Sequence, residues 1–276
     1  MFIRGSVKLN ELKTAGGKLR SFVKRNKKNV AAGFMLLLLA GIAYAGPRAV
    51  ADVANNAAIS ARELPIYCVD RDDKVVALTF DAAWGNEDTQ KILDILEKHN
   101  VKVTFFATGG WVEAYPDDVK KIIEAGHAFG NHSENHKFMT RLTDEQKKQE
   151  LMKVHDKVKA LTGYEMCLFR PPYGDYNDAV VKVADSLGYY TIQWSVDSLD
   201  WKDYGVDSIV RTVTQHKSLD SGAIILMHNG AKYTADALDS IITSLEEQGY
   251  SFVTVAELIH TGKYHMDHTG KQIADE

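Results

Sequence analysis

Cysteine is nearly absent: the 276 residues hold two. Two thiols exclude a disulfide-dense scaffold and a zinc module built on four cysteines. Strong charge of either sign is missing too. The net charge of −4 calls for no nucleic-acid partner. There is no internal repeat, no low-complexity block and no sign of a second folded domain. What is present is ordinary for a globular chain, 45% apolar and 25% charged residues. That balance excludes a mainly disordered, collagen-like or coiled-coil protein.

The small net charge hides an asymmetry. Residues 1–28 carry nine Lys or Arg against one acid, Glu11, and 29–45 carry no charge at all. The acidic excess therefore lies wholly in the remainder. A basic head, an apolar run and an acidic body describe a chain that crosses a membrane. The run from Val30 to Ala45 is short against the ~20 residues that span a bilayer. The basic flank should stay inside and the body outside. Two readings stand, an uncleaved signal anchor over 29–46 or a signal peptide cut after Ala45. The long head favours the anchor. Residues 47–63 read as a stalk, and the folded body is expected over 64–262, with a solvated tail over 263–276.

The body alternates short β-branched runs with amphipathic segments. Strands are expected at 74–80, 101–107, 127–130, 168–169, 189–194, 223–227 and 251–253. Helices are expected at 88–99, 117–125, 143–161 and 177–187, and near 206–216 and 234–247. The 143–161 helix opens with a capping box, Thr143 with Gln146. Alternation of this kind predicts an α/β fold with a parallel sheet, and seven repeats in about 200 residues suit a barrel.

Polar clusters follow the strands. Asp81 ends the first, and 131–136 follow the third. Arg170–Gly174, Ser195–Trp201 and His228–Gly230 follow later ones. In a parallel barrel such ends converge on one face, where active sites sit. Singly, each cluster has a plainer reading: a helix cap for Asp81, a solvent-facing pair for His132 and His136, a stiff turn for Arg170–Tyr173, a core histidine for His228. Their joint placement at successive strand ends argues for a site.

The clusters TFD at 79–81, HSENH at 132–136, RPPYG at 170–174, DSLDW at 197–201 and LMH at 226–228 resemble, in order and spacing, the polysaccharide deacetylase family. These are the carbohydrate esterases with a NodB homology domain, and the likeness is strongest to the branch associated with sporulation and peptidoglycan. The resemblance implies a distorted (β/α)7 barrel and metal-dependent removal of acetyl groups from N-acetyl sugars. It assigns Asp81 as general base and His228 as general acid. Arg170 orients Asp81, and Asp200, ahead of Asp197, pairs with His228. His132 and His136, four residues apart on one helical face, would grip a divalent zinc, cobalt or nickel ion. The backbone N–H of Tyr173 would help hold the oxyanion, and Trp201 and Leu226 would shape the acetyl pocket. The implied partner is a wall glycan, met by a monomer.

One position departs from the pattern. The family carries a second Asp after Asp81 as third metal ligand, and this chain has Ala82. Weak metal binding, substitution by Glu87 or Asp88, or a silent glycan-binding protein all follow as alternatives. An O-acetyl (xylan-type) esterase is the same chemistry on an ester. Cys68 and Cys167, outside a reducing cytoplasm, are either a disulfide or two buried apolar thiols.

Overall fold

The computed structural model describes residues 62–275. The head, the apolar run at 29–46 and most of the stalk lie outside the described residues. Among the described residues no helix is long and apolar enough to cross a membrane.

The centre of the fold is β2 (Val75–Ala82), buried at every position. It lies parallel between β3 (Thr104–Ala107) and β8 (Ala223–Asn229). From β3 the sheet continues through β4 (Ala128–Asn131), β5 (Leu168–Phe169) and β6 (Tyr190–Thr191), all parallel. On the other side β8 pairs antiparallel with β1 (Cys68–Val69) and parallel with β7 (Val196–Asp197). Strand β9 (Ser251–Phe252) joins the start of β2. A parallel bridge between Ile66 and Ile192 links the segment before β1 to the segment after β6. The outcome is an α/β half-barrel, with walls of two-residue strands from β5 to β7.

Helices α1 (Thr89–Lys98), α2 (Gly109–Ala114), α3 (Pro116–Glu124), α4 (Asp144–Thr162), α5 (Asp178–Ser186), α6 (Val206–Thr214), α7 (Thr234–Glu247) and α8 (Val255–Leu258) alternate with the strands. Side chains of β2 divide by parity. Val76, Leu78, Phe80 and Ala82 join the large apolar cluster shared with Ile92, Leu96, Leu238 and Ile241 of the helices. Val75 and Ala77 join a second cluster with Phe106, Leu168 and Ile224 inside the curved sheet. Thr79 and Asp81 continue that inner row toward the strand's C-terminal end. The capping box at Thr143 is present, and Gly163 ends α4 in the left-handed conformation at φ 75°.

Two expectations change. The segment expected as a solvated tail is a hairpin: β10 (Tyr264–Met266) and β11 (Lys271–Ala274) are antiparallel, and β11 pairs parallel with β1. Cys68 and Cys167 are both free thiols, Cys167 exposed.

His127, beside the start of β4, is 4% exposed. Burial pushes its imidazole down to about 4, and the neutral ring accepts from the Val103 N–H at 3.3 Å. A base with a depressed folded pKa leaves stability intact above its unfolded value near ~6.5. That stability is lost as pH falls toward about 4, because the unfolded chain takes the proton first. His127→Gln should therefore flatten the stability–pH curve between these limits by up to about 3 kcal/mol. Urea midpoints of parent and variant at neutral and acid pH check it; parallel curves would contradict it.

Candidate active site

Register brings the first two groups together. Asp81 on β2 lies directly across from His228 on β8, and Thr79 across from Leu226. Asp81 is 5% exposed and Arg170 is fully buried. Arg170 follows β5; its Nη1 donates to Asp81 Oδ1 at 2.8 Å and to Thr79 Oγ1 at 2.9 Å, and Nη2 donates to the Gln193 carbonyl at 3.2 Å. Its guanidinium faces the rings of Phe106 at 4.2 Å and Trp194 at 5.6 Å. Burial penalises a charged Asp81, but Arg170 above all outweighs it and holds the carboxyl below its ordinary range. Asp81 is therefore an ionised acceptor at neutral pH.

His228 has its own counter-charge. Its Nδ1 lies 2.7 Å from Asp200 Oδ1, and its backbone N–H donates to Asp200 Oδ2 at 2.7 Å. Thr234 Oγ1 donates to the same Oδ2 at 2.6 Å. Asp200 is fully buried. It opens a 3-10 turn over Asp200–Lys202, flanked by left-handed residues Leu199 and Asp203, each at φ 56°. Burial works against a charged imidazole, but the Asp200 hydrogen bond and charge win, and His228 is raised above its ordinary value. With Nδ1 held by Asp200, Nε2 is the nitrogen free to deliver a proton.

The two other histidines follow β4, on a loop and not on a helix. Left-handed turns at Ser133 (φ 66°) and His136 (φ 51°) fold it back, so the four-residue spacing needs no helical face. The loop is pinned at several points. Asn131 Oδ1 accepts from Ser133 N–H, and both Asn135 nitrogens bond the Glu150 carboxylate of α4. Glu134 pairs with Lys157 at 2.6 Å. A Cβ on Gly109, the first residue of α2, would lie 1.8 Å from Glu134 Oε2, so any larger residue there would have to push the Glu134 carboxylate aside.

His132 Nδ1 contacts the Arg170 carbonyl at 2.8 Å, which leaves Nε2 facing His136 Nε2 at 3.2 Å. Burial pushes His132 down to about 4, so it is neutral. Two imidazole nitrogens at this separation suit one tetrahedral ion, whose adjacent donors lie about 3.3 Å apart for bonds of ~2.0–2.1 Å. The nearest carboxylate oxygen is Asp81 Oδ2, 3.6 Å from His132 Nε2. Among the described residues no group of three or more His, Cys, Asp or Glu side chains is placed to hold a metal. The donor set fits a two-histidine grip and lacks the third ligand. Ala82 supplies a methyl group to the helix-facing cluster. Of the two carboxylates that stand as substitutes, Asp88 accepts from Gly230 N–H through Oδ1 at 2.8 Å while its buried Oδ2 has no partner, and Glu87 Oε2 accepts from Asn86 N–H at 3.1 Å. Asp197 caps its own turn through Leu199 N–H and leaves His228 to Asp200.

The remaining expected residues ring this centre. Tyr173, left-handed at φ 60°, sets its ring edge-on to His136 with centroids 4.5 Å apart. Trp201 is exposed on the turn that starts at Asp200, and Leu226 is buried on β8, two residues before His228. The sequence does not place Thr234 on Asp200 or Gln193 on Arg170, because isolated polar residues give no periodic signal. Nor does it assign a role to Trp84, whose ring stacks on His228 with centroids 5.7 Å apart.

Known proteins place this geometry. The family model described as polysaccharide deacetylase matches residues 69–192. The peptidoglycan-N-acetylmuramic acid deacetylase PdaA of Bacillus subtilis is 38% identical, the match covering 70% of this chain and 74% of that one. A peptidoglycan-N-acetylglucosamine deacetylase of Bacillus cereus is 40% identical over 69% of this chain and 91% of its own. Among solved structures, a wild-type CE4-family pseudoenzyme from Bacillus anthracis shares 39% identity and superposes with a TM-score of 0.67, covering 75% of this chain and 69% of that one. A mutant of that pseudoenzyme, with restored enzymatic activity, superposes equally well at 40% identity, covering 75% of this chain and 72% of its own. With a matching family model, relatives this similar over most of their length, and all five motif clusters converging at the strand ends, this chain belongs to the polysaccharide deacetylase family.

Proposed function

We propose that this chain is a hydrolase that removes acetyl groups from the N-acetyl sugars of peptidoglycan or a related cell-wall glycan. The observation that carries the reading is the pairing of Asp81 with His228 across β2 and β8, each with its own buried counter-charge. Amide hydrolysis needs one group that takes a proton from water and another that gives one to the leaving amine. Asp81, kept ionised by Arg170, takes it. His228, whose protonated form Asp200 favours, gives it. A glycan-binding surface alone has no use for that division. The names of the relatives point to the amide of wall sugars over an O-acetyl ester.

His132 and His136 are the residues that would hold a divalent ion, and such an ion would polarise the acetyl carbonyl and acidify the attacking water. With Ala82 in the third place, binding rests on two neutral donors. Zinc titrated into the full chain should bind, and His136→Ala should lower the affinity by at least about 10- to 100-fold, the loss that even outer-sphere partners cause. Equal affinity in the variant would remove the histidine pair from the account. The Tyr173 N–H is the donor we assign to the oxyanion, and Leu226 and Trp201 to the acetyl pocket.

A second reading has one observation behind it. Ala82 stands where the family pattern has an acid as third metal ligand, and solved relatives include a pseudoenzyme. A silent protein would bind N-acetylglucosamine oligomers and release no acetate. The test is acetate release from chitotetraose and from purified peptidoglycan, with zinc, cobalt or nickel added.

We also infer that residues 29–46 hold the chain in the membrane with the body outside, supported by the basic head before the apolar run. Protease added to intact cells should degrade the body; a fully protected body would reverse the topology.

A further inference from the structure

Among the described residues the exposed large apolar side chains are Trp84, Phe138, Tyr173, Trp201 and Tyr204, and all five stand on segments that follow the C-terminal ends of strands, around the site. Trp84 differs from the other four in what it touches and in how it is held. Its indole lies nearly parallel to the His228 imidazole, at 22° with centroids 5.7 Å apart, and 47% of the residue remains open to solvent.

The loop that carries it is fastened at both ends of the turn. The Gly85 carbonyl accepts from Trp111 Nε1 at 2.7 Å and from Asn229 Nδ2 at 3.3 Å. Asp88 Oδ1 accepts from Gly230 N–H at 2.8 Å. Gly230 itself is left-handed at φ 88°, and a Cβ there would meet the Trp84 carbonyl at 2.4 Å. The residues after His228 and the residues around Trp84 are thus one packed unit. The indole is a fixed surface and not a swinging lid.

We propose that Trp84 is a substrate-contacting residue: it covers His228 with part of its ring and offers the exposed remainder to the sugar whose nitrogen His228 protonates. The inference rests on the deacetylase reading and follows from its chemistry. The leaving amine stays on the sugar, so the pyranose ring must come within hydrogen-bond reach of His228 Nε2. The aromatic surface beside that nitrogen is Trp84. The apolar face of an N-acetylhexosamine and an indole form the kind of contact by which aromatic walls orient ligands in polar clefts. The ligand class is therefore an N-acetylglucosamine-type pyranose stacked on the amine side of the centre, opposite in role to the acetyl pocket at Leu226.

The test uses the full chain and chitotetraose. Of the four tryptophans, Trp84 and Trp201 are exposed, so titration of the sugar is followed by tryptophan fluorescence in the parent, Trp84→Phe and Trp201→Phe, and by calorimetry in these and Trp84→Ala. Trp84→Ala should weaken binding by about 3- to 10-fold, the size of a lost aromatic contact. Trp84→Phe should recover most of the affinity while losing its share of the fluorescence change. Unchanged affinity in Trp84→Ala, with the whole fluorescence response kept in Trp84→Phe, overturns the proposal and leaves the deacetylase reading in place. A parent chain that releases acetate yet binds the tetramer equally well with and without Trp84 does the same. Failure of the parent both to bind the tetramer and to release acetate removes the deacetylase reading, and this proposal with it.

Discussion

Replacing Asp81 with asparagine or His228 with alanine should each reduce acetate release by at least about 10²–10⁴-fold, the contribution of a positioned proton-transfer group. Both substitutions leave the backbone pairing of β2 with β8 untouched, because that register is carried by main-chain groups. Asparagine keeps the volume of Asp81 and a carbonyl toward Arg170, yet has no negative oxygen to accept a proton. Alanine at 228 leaves Asp200 still bonded to the backbone N–H of residue 228 and to Thr234. Circular dichroism should therefore show folded protein in both cases. The pH profile supplies an independent reading. His228 must be protonated to act, and its pKa is raised, so kcat/KM should fall on the alkaline side above the ordinary imidazole value. Asp200→Asn removes the cause of that rise and should move the alkaline limb toward lower pH. A limb that stays in place would detach Asp200 from His228. Near-normal acetate release by either first-named variant would reject the assigned roles outright.

The second large effect concerns the fold as much as the chemistry. Arg170→Gln should destabilise the chain by about 3–5 kcal/mol, because breaking a buried ion pair leaves the other charge uncompensated. For a body of this size that is a fall in Tm on the order of 6–20 °C. Asp81 would then lose the cation that holds its pKa down, and burial, which acts in the opposite direction, would dominate. The expected companion is a base limb of the rate profile displaced to higher pH. Adding Asp81→Asn to Arg170→Gln should recover part of the stability, since no charge then remains buried at that position. A double-mutant cycle by denaturant unfolding measures the coupling. Additive losses would show that Arg170 acts on the fold through Gln193 and Phe106 and not through Asp81.

Much of this is legible in the amino-acid sequence. The run 74–80 announces β2, and the six helices expected in the body lie within two residues of their positions because each buries an apolar face at helical spacing, whereas the short helices α2 and α8 carry too few residues to show a period. The six polar groups expected at the centre are brought together there. What escaped the sequence has physical reasons. His132 and His136 sit four apart, which reads as one helical face, yet two left-handed turns give the same approach from a loop. The hairpin of β10 and β11 has too few apolar residues to announce strands; it is ordered by β1, a partner some 200 residues away. The two-residue strands β1 and β7 leave no periodic trace. Thr234 and Gln193 complete the hydrogen bonds of buried charges, a requirement that appears only once Asp200 and Arg170 are known to be buried. Ala82 was visible as a missing ligand. That its methyl faces the helix layer, away from Asp81, required the alternation of β2 to be seen in place.

The central claim is that Asp81 and His228 form a working base and acid despite the lost third ligand. The most direct measurement is acetate release by the full-length chain acting on chitotetraose, with free amine counted in the same reaction, in added zinc or cobalt and in chelator. The account predicts acetate and amine in equal amounts from the parent chain, and none above background from Asp81→Asn. Tight binding of the tetramer with no acetate under any metal would contradict it, and would make this chain a glycan-binding relative that has kept the acid and base without the reaction.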